Sequence, residues 1–351
     1  MNEIIMQECL NYKKIDEEKV QCQNCHHFCI ISEGQVGICG VRKNQKGKLS
    51  LLVFGKIIAV NIDPIEKKPL FHFLPDSKAF SLGTLGCNFR CANCQNFNIS
   101  QIYGLKGSVD KYNEIDWGYQ LSPEEVVRQA QVNDCKSIAY TYNEPTIFLE
   151  YALDTMKLAR KAGLKNVWVS NGFMSDQALD LIIPYLDAIN IDIKSFNDEF
   201  YRNNCGAHLK PILENCKKLV RRGIWLEITT LVIPTLSDDE EMLRQVARFI
   251  KKELGDFVPW HVSAFSGAIS WKLQNLPDTS IVKIKRAYDI GKEEGLKYVY
   301  VGNVLEKNLE NTYCKHCGKM VIERKGYNIA RMDKGGKCQK CHEKMDGMMG
   351  N

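Results

Sequence analysis

Features that would assign this 351-residue chain to a membrane or secreted class are absent. No stretch approaches the roughly 18 uninterrupted apolar residues that a membrane span requires. The amino-terminal segment MNEIIMQECLNYKK has neither the basic start nor the long apolar run of a signal peptide. We therefore expect a cytoplasmic protein with no membrane partner.

The chain also lacks a strong excess of one charge, since 47 Lys and Arg face 42 Asp and Glu. Residues 314–351 hold nine basic and four acidic residues, which accounts for the whole formal charge of +5. Zinc bound there by four thiolates would lower the charge of this segment to about +3. Such a weak excess argues against a nucleic-acid partner.

Cysteine, by contrast, is abundant, with fifteen residues. A secreted disulfide scaffold would explain this number only in a much shorter chain. Eleven cysteines form three close sets: Cys22, Cys25, Cys29 and Cys39; Cys87, Cys91 and Cys94; and Cys314, Cys317, Cys338 and Cys341. Short C-x-x-C spacings in a chain without an export signal predict metal sites. The isolated cysteines, expected to be small buried apolar side chains, are Cys9, Cys135, Cys205 and Cys216.

Short apolar runs alternate with amphipathic, charge-rich segments between residues 78 and 302. This alternation is typical of repeated β–α units around a parallel sheet. The predicted strands are AFSLGTLG, SIAYTY, NVWVSN, AINIDIK, IWLEITTLVI, PWHVSAF and YVYVGN. Six or seven units in about 225 residues predict an α/β fold with a full or partial (β/α) TIM-type barrel.

Two helices between these strands have recognisable starts. SPEEVVRQAQ offers Ser122 as N-cap, Pro123 at the first helical position and Glu125 three residues after the cap. SDDEEMLRQVARFIKKEL is expected to begin likewise at Ser237, with an acidic first turn.

Three domains are predicted from this division. Residues 1–77 should form a cysteine-rich metal module and a β-hairpin that turns near Gly55, and residues 78–305 should form the barrel. Residues 306–351 contain two C-x-x-C knuckles separated by twenty residues. We predict a zinc ribbon there, because the knuckles can supply four thiolates to a closed structural zinc site.

The metal of the first cysteine set, with spacing C-x2-C-x3-C-x9-C, is open. A closed structural zinc site is the first interpretation and an iron–sulfur cluster is the second, because thiolates bind both. His27, which lies inside the set, could also replace a cysteine.

Barrel enzymes carry reactive groups where strands end, and polar residues follow four successive predicted strands. They are, in chain order, Cys87, Cys91 and Cys94; Asn143 and Glu144; Ser170 and Asn171; and Asp192 and Lys194. Each has a structural alternative. Glu144 could cap the next helix, and Asn171 could serve a turn. Asp192 and Lys194 could form an ion pair.

The loop with three cysteines, opened by Gly86, carries the strongest signal of a metal. Zinc would have to borrow a fourth ligand such as His72 or His27. A [4Fe–4S] cluster held by three cysteines would instead leave one iron open to bind another molecule.

The segment CNFRCANC resembles the C-x3-C-x2-C motif of the radical S-adenosylmethionine superfamily. The resemblance implies a partial barrel, a [4Fe–4S] cluster on Cys87, Cys91 and Cys94, and S-adenosylmethionine at the open iron. It also implies reductive cleavage of this cofactor to a 5′-deoxyadenosyl radical, which takes hydrogen from a substrate. An electron donor such as flavodoxin or ferredoxin is expected with this chemistry.

Two further segments resemble cofactor-binding motifs of that superfamily. YNEP corresponds to its Gly-Gly-Glu-Pro segment, which implies that Asn143 and Glu144 bind the cofactor and that Glu144 pairs with the methionyl ammonium. VSNG is similar to the ribose and carboxylate segment, which implies the same for Ser170 and Asn171.

INIDIK resembles the Asp-Leu-Lys segment of the glycyl-radical-enzyme activases, which implies cofactor contacts for Asp192 and Lys194. Two departures from the family pattern stand out. Asn93 occupies a position that is often aromatic, so its contact to adenine is expected mainly from the backbone. Val169 and Ser170 replace the activases' Asp-Thr, which argues against a bound monovalent cation like theirs.

Longer phrases are similar to the radical enzyme of the AmmeMemoRadiSam system over nearly the whole chain, among them CQNCHHFCIISEGQVGICGVRKN and DPIEKKPLFHFLP. This resemblance implies an oxidoreductase similar to pyruvate formate-lyase activating enzyme. Its substrate is unidentified, and a protein is favoured. Two alternatives stay open: a non-catalytic iron–sulfur or zinc electron-transfer or scaffold protein, and an RNA-modifying radical enzyme.

Overall fold

The computed structural model describes residues 7–102, 118–304 and 308–350. Its strands are β1 (Gln7–Glu8), β2 (Tyr12–Lys14), β3 (Lys19–Cys22), β4 (Ile30–Ser32), β5 (Arg42–Gln45), β6 (Lys48–Leu51), β7 (Lys56–Ile57), β8 (Ala59–Pro64), β9 (Lys78–Gly83), β10 (Tyr119–Gln120), β11 (Ser137–Tyr140), β12 (Lys165–Ser170), β13 (Ala188–Asp192), β14 (Trp225–Val232), β15 (Trp260–Ala264), β16 (Val299–Gly302), β17 (Thr312–Tyr313), β18 (Met320–Lys325), β19 (Asn328–Arg331), β20 (Asp333–Lys334) and β21 (Lys337–Cys338). Its α-helices are α1 (Phe97–Ser100), α2 (Pro123–Val132), α3 (Leu149–Lys161), α4 (Asp176–Ile182), α5 (Asp198–Phe200), α6 (Leu209–Arg221), α7 (Glu240–Phe249) and α8 (Ile281–Glu293).

An eight-stranded sheet forms the core, in the order β16-β15-β14-β13-β12-β11-β9-β8. β8 runs antiparallel to β9, and the other neighbouring pairs are parallel. The parallel strands are buried along most of their length, as expected when helices cover such a sheet. Within the described strands, β16 and β8 are the two edges. The predicted α/β fold with a partial (β/α) barrel is confirmed.

All seven predicted barrel strands are present, and each ends one to three residues before the predicted end. β11 shows why, because it stops at Tyr140 rather than at Tyr142. Tyr142 has a φ of +71°, which leaves the extended conformation. The residues after such a break form the loops that carry the polar side chains.

The helix starts agree in part with the prediction. Ser122 caps α2, since its Oγ accepts a hydrogen bond from Glu125 N at 3.2 Å. The predicted start at Ser237 is wrong. Asp239 caps α7 through a 2.9 Å bond from Met242 N, because the Ser237 hydroxyl binds backbone groups of the turn after β14. No helix in the described ranges is long and apolar enough to cross a membrane.

The predicted β-hairpin over residues 48–63 is wrong. β6 pairs with β1 and β5, while β7 pairs with β10 and β8 joins the barrel sheet beside β9. Gly55 does form a turn, with a φ of +70°, but the strands after it find partners elsewhere. β8 instead pairs with β9 along its whole length, as the edge strand of the barrel sheet.

The predicted domain division into 1–77, 78–305 and 306–351 stays a prediction. Its first boundary separates β8 from β9, although these two strands pair along six residues each. Its second boundary lies outside the described residues.

Candidate functional site

The carboxyl ends of β9, β11, β12 and β13 lie side by side at the carboxyl-terminal end of the sheet, because these strands are parallel neighbours. Gly86 begins the cysteine loop at this end of the sheet, and its φ is +91°. A Cβ on Gly86 would lie 2.5 Å from the Cys39 carbonyl oxygen, so only glycine allows this approach. Farther along, Arg90 N donates to the Cys205 carbonyl at 2.8 Å and holds the loop against residues 201–205.

The loop brings the thiols of Cys87, Cys91 and Cys94 close enough to interact electrostatically. Burial raises the pKa of Cys87 and of Cys94. A hydrogen bond with the Cys205 thiol, together with burial, raises the pKa of Cys91. These thiols therefore stay protonated until a metal displaces the protons, as binding to a metal requires.

Glu144 lies buried beside this loop, 1% exposed, and interacts electrostatically with Cys87. Its carboxylate accepts hydrogen bonds from Thr146 N at 3.0 Å, Ser170 Oγ at 2.9 Å and Asn171 N at 2.7 Å. Burial raises the pKa of Glu144, and these hydrogen bonds oppose that rise. The bond from Thr146 N shows that the alternative role, a helix cap, is also filled.

Ser170 and Asn171 both donate hydrogen bonds to this carboxylate. Ser170 Oγ, besides donating to Glu144, accepts from Gly172 N at 3.0 Å. The Asn171 side chain donates to Asn88 Oδ1 at 2.8 Å and accepts from Phe173 N at 3.0 Å. Both residues thus fix the carboxylate and the turn after β12, and their predicted contacts to ribose or carboxylate stay predictions.

Two amide groups beside the cysteine loop are left with a bonding group unused. Asn143 Nδ2 donates to the carbonyls of Thr84 at 2.7 Å and Gly86 at 2.8 Å, but its buried Oδ1 has no partner among the described residues. The Nδ2 group of Asn88 is likewise buried and unpaired within that part of the chain. An ammonium needs an acceptor and a carboxylate needs a donor, so this pair fits the methionyl group of S-adenosylmethionine.

Asp192 and Lys194 form the ion pair that was the structural alternative, with Nζ and Oδ2 2.7 Å apart. Lys194 also interacts electrostatically with Cys91 and Cys205. Burial opposes its charge, but Asp192 and the two thiols raise the pKa of Lys194 above its ordinary value. Lys194 therefore stays charged next to the cysteine loop, with Asp192 as its counter-ion.

Cys205 was expected to be an isolated buried cysteine, and sequence reasoning missed its position. Its thiol contacts Cys91, and the neighbouring Asn204 donates to Asn93 Oδ1 at 2.8 Å. Asn93 therefore binds this segment through its side chain, while its predicted backbone contact to adenine stays a prediction. More than one hundred residues separate these partners in sequence, so no spacing pattern could have paired them.

A second missed segment follows β15. Trp271 N donates to the Cys94 carbonyl at 3.1 Å, and Lys272 N donates to the Ala92 carbonyl at 2.8 Å. The strand-end rule used for β9 to β13 would have found this loop, had it been applied to β15 as well.

The other two cysteine sets lie in different surroundings. The thiols of Cys314, Cys317, Cys338 and Cys341 all lie within 4.8 Å of one another and could hold a metal ion. The amino-terminal set, Cys22, Cys25, Cys29 and Cys39, lines one cavity next to the cysteine loop. All fifteen cysteines are free thiols.

Comparisons with known proteins match the segment that carries this site. The Radical SAM superfamily model matches residues 82–247, a range that begins in β9 and includes the cysteine loop and Glu144. The chain is 43% identical to an uncharacterized protein of Methanocaldococcus jannaschii over 97% of this chain and 99% of that protein. It is 24% identical to pyruvate formate-lyase 1-activating enzyme of Escherichia coli strain K12, over 50% of this chain and 71% of the enzyme.

Among solved structures, SuiB of Streptococcus suis bound to precursor peptide SuiA has a TM-score of 0.50 at 12% identity. The match covers 70% of this chain and 52% of that chain. At this identity the likeness shows the fold alone. The cysteine motif, the strand-end residues and the family match agree, and the chain belongs to the radical S-adenosylmethionine superfamily, which uses a [4Fe–4S] cluster and S-adenosylmethionine.

Proposed function

We propose that this protein is a radical enzyme, similar to the glycyl-radical activases, that takes hydrogen from a protein substrate. When bound, the [4Fe–4S] cluster and S-adenosylmethionine supply the radical chemistry. One observation carries the proposal. The carboxyl-terminal end of the sheet gathers two buried thiols and one partly buried thiol, a buried carboxylate, and one unused amide acceptor and one unused amide donor.

Each residue at this end of the sheet has a proposed role. Cys87, Cys91 and Cys94 hold the cluster and leave one iron open. Asn143 Oδ1 and the Glu144 carboxylate accept from the methionyl ammonium, because both are acceptors beside the cysteine loop.

The other end of the cofactor falls to the remaining polar residues. Asn88 Nδ2 donates to the methionyl carboxylate, while Ser170 and Asn171 keep Glu144 in place. Lys194, charged and paired with Asp192, attracts a negative group of the cofactor.

The substrate class rests on the relatives. The Escherichia coli relative is named for the activation of another enzyme, and the SuiB structure holds a peptide. Both support a protein as substrate. A flavodoxin or ferredoxin as electron donor, a zinc ion on the carboxy-terminal knuckles, cytoplasmic location and membership of the AmmeMemoRadiSam system belong to the same proposal.

The chemistry is tested by anaerobic reconstitution with iron, sulfide, S-adenosylmethionine and dithionite. We expect 5′-deoxyadenosine from the native chain and from Cys216→Ala, which changes a buried cysteine outside the three sets. We expect none from Cys87→Ala, because the cluster loses a ligand. An intact cluster without 5′-deoxyadenosine would favour a non-catalytic iron–sulfur protein.

The substrate class is tested by deuterium transfer. Cells are grown in deuterated medium, and their extract is divided by ultrafiltration into small molecules and macromolecules. Each fraction is incubated with the reconstituted protein, and deuterium in 5′-deoxyadenosine is measured by mass spectrometry. We expect transfer from the macromolecular fraction and its loss after protease treatment. Loss after ribonuclease treatment would instead support an RNA-modifying enzyme.

A further inference from the structure

The carboxy-terminal cysteine set has the spacing that zinc requires. Cys314 Sγ lies 3.5 Å from Cys341 Sγ, and Cys317 Sγ lies 3.6 Å from Cys338 Sγ. Four thiolates bonded tetrahedrally to zinc at about 2.3 Å lie about 3.8 Å from one another. The compact arrangement therefore suits a single metal ion.

The amino-terminal set is more open. Within the described residues, the carboxy-terminal set is the one group of three or more His, Cys, Asp or Glu whose ligand atoms all lie within 4.8 Å. Cys22, Cys25, Cys29 and Cys39 do not reach that spacing. They instead line one shared cavity.

The cysteine loop of the barrel provides an internal comparison. Cys87, Cys91 and Cys94 also lie outside the 4.8 Å spacing, and in this superfamily those three thiols surround a cluster of several irons and sulfides. The amino-terminal set shares the wide spacing of this loop rather than the compact spacing of the ribbon. A cluster fills space between its thiolates, whereas a single ion draws them together.

The cavity wall supplies groups that suit a cluster. The Arg42 side chain, 2% exposed, lines the cavity near Cys22, and its charge is paired with the Glu150 carboxylate at 2.6 Å. Asn88 lines it too, and its unpaired Nδ2 group carries two N–H donors, so one can face the cavity while the other serves the methionyl carboxylate. Hydrogen bonds to the sulfurs and nearby charge tune the reduction potential of iron–sulfur clusters. His27 Nε2 is already engaged by the Asn88 carbonyl at 2.8 Å, so that nitrogen is not free to replace a cysteine.

The same wall belongs to the candidate active site. Asn88 follows Cys87 directly, and Thr146 and Ile147, which also line the cavity, follow Glu144 by two and three residues. Asn24 Nδ2 donates a hydrogen bond to the Thr146 carbonyl, and the backbone of Cys25 forms an isolated antiparallel β-bridge with that of Met174. Whatever occupies the cavity therefore lies against the loops that hold the first cluster and S-adenosylmethionine.

From these observations we infer that Cys22, Cys25, Cys29 and Cys39 bind a second iron–sulfur cluster, in place of the structural zinc that their spacing first indicated. The inference does not rest on the proposed substrate or on turnover. It predicts that the amino-terminal set and the cysteine loop both hold iron, and that the ribbon alone holds zinc.

The test uses the full chain with Cys87, Cys91 and Cys94 all changed to Ala, reconstituted anaerobically with iron, sulfide and zinc. We expect this variant to retain about four iron and four sulfide per chain if the second cluster is of the cubane type. It should show an EPR signal after reduction. Adding Cys22→Ala and Cys25→Ala should remove that iron and leave the zinc content unchanged.

A matched variant carries Cys314→Ala and Cys317→Ala, and it should lose zinc while keeping iron. Two zinc ions and no iron in the triple variant would overturn the inference. If a variant fails to fold by circular dichroism, the native chain decides. About eight iron and one zinc per chain support the inference, and about four iron and two zinc contradict it. Failure of the proposed function would appear separately, as absent 5′-deoxyadenosine with these metal contents intact.

Discussion

Glu144 shows how one buried carboxylate can organise a site. Its two oxygens accept hydrogen bonds from Thr146, Ser170 and Asn171, and so fix the loops after β11 and β12 relative to each other. The same side chain interacts with Cys87. A helix cap and a cofactor ligand are therefore compatible roles for this residue.

At this scale we predict that Glu144→Gln weakens S-adenosylmethionine binding. The amide keeps the shape, but its NH₂ group meets a backbone N–H donor and its charge no longer attracts the ammonium. Loss of a charged hydrogen bond costs about 1.5–3 kcal/mol, which corresponds to a roughly ten- to hundredfold loss of affinity. Calorimetry on the anaerobically reconstituted protein measures this.

Glu323→Gln is the control, because Glu323 lies in the ribbon and pairs only with exposed Lys325 in the described structure. It should bind S-adenosylmethionine with native affinity. If Glu144→Gln lowers the free energy of unfolding but leaves the affinity unchanged, Glu144 is a cap and not a cofactor ligand.

The cysteine loop is the element on which the site depends, and Gly86 sets its course. The residue combines a φ of +91° with a contact in which an added Cβ would lie 2.5 Å from the Cys39 carbonyl oxygen and 2.8 Å from Val41 Cγ1. The loop thus enters between the barrel and the amino-terminal module.

We predict that Gly86→Ala lowers the free energy of unfolding more than Gly163→Ala does. Gly163 has a similar φ of +78° but no atom within 4 Å of an added Cβ, so it isolates the backbone strain, about 1 kcal/mol. The clash at Gly86 should add about 1–3 kcal/mol and reduce the iron bound after reconstitution. Urea unfolding and iron analysis measure both, and equal costs would show that the close approach does not matter.

On the scale of the whole molecule, the ribbon closes the end of the barrel opposite the cysteine loop. Arg324 is 3% exposed. Its guanidinium donates to Thr312 Oγ1 at 2.7 Å and to the Phe71 carbonyl at 2.8 Å. It also lies 4.1 Å from the centroid of the Phe71 ring. The ribbon is therefore packed into the barrel's base.

We predict that Cys338→Ala destabilises the protein while leaving the cluster in place. Loss of the ribbon metal should loosen the contacts of Arg324 and lower the melting temperature by several degrees, since about 1 kcal/mol corresponds to roughly 2–4 °C in a domain of this size. The visible absorption of the iron should stay at the native level. Parallel loss of iron would mean that the ribbon and the cysteine loop are one cooperative site.

Buried histidine makes the stability of the barrel's base depend on pH. His72 is fully buried, with its ring bonded to the Tyr300 hydroxyl at 2.6 Å and to the Asp346 carbonyl at 2.9 Å. Burial lowers the pKa of His72 to about 4, against the opposing attraction of Glu227. Arg324 and His261 also face this ring and add to the decrease.

Because the unfolded chain binds the proton first, stability falls as the pH drops from about 6.5 to about 4. A shift of this size corresponds to about 3 kcal/mol. We predict that His72→Gln reduces this dependence, measured as the free energy of unfolding in urea across that range. The same slope in the variant and the native protein would assign the effect to other groups.

Much of this organisation could be predicted. The alternation of strands and helices, the cap at Ser122, the three cysteine sets and the polar residues at strand ends all follow from local patterns in the sequence. The partners of the strands after Gly55 could not be predicted, because alternation shows that a segment is a strand but not which strand it pairs with.

Local patterns in the chain are enough to identify the barrel class and the three-cysteine loop, because three cysteines within eight residues form a motif that is visible without the fold. The folded structure was needed to show that Cys205 contacts Cys91, that Glu144 is held by Ser170 and Asn171, and that the amino-terminal cysteines line one cavity. Those contacts join residues far apart in the chain, and their distances depend on how the loops pack.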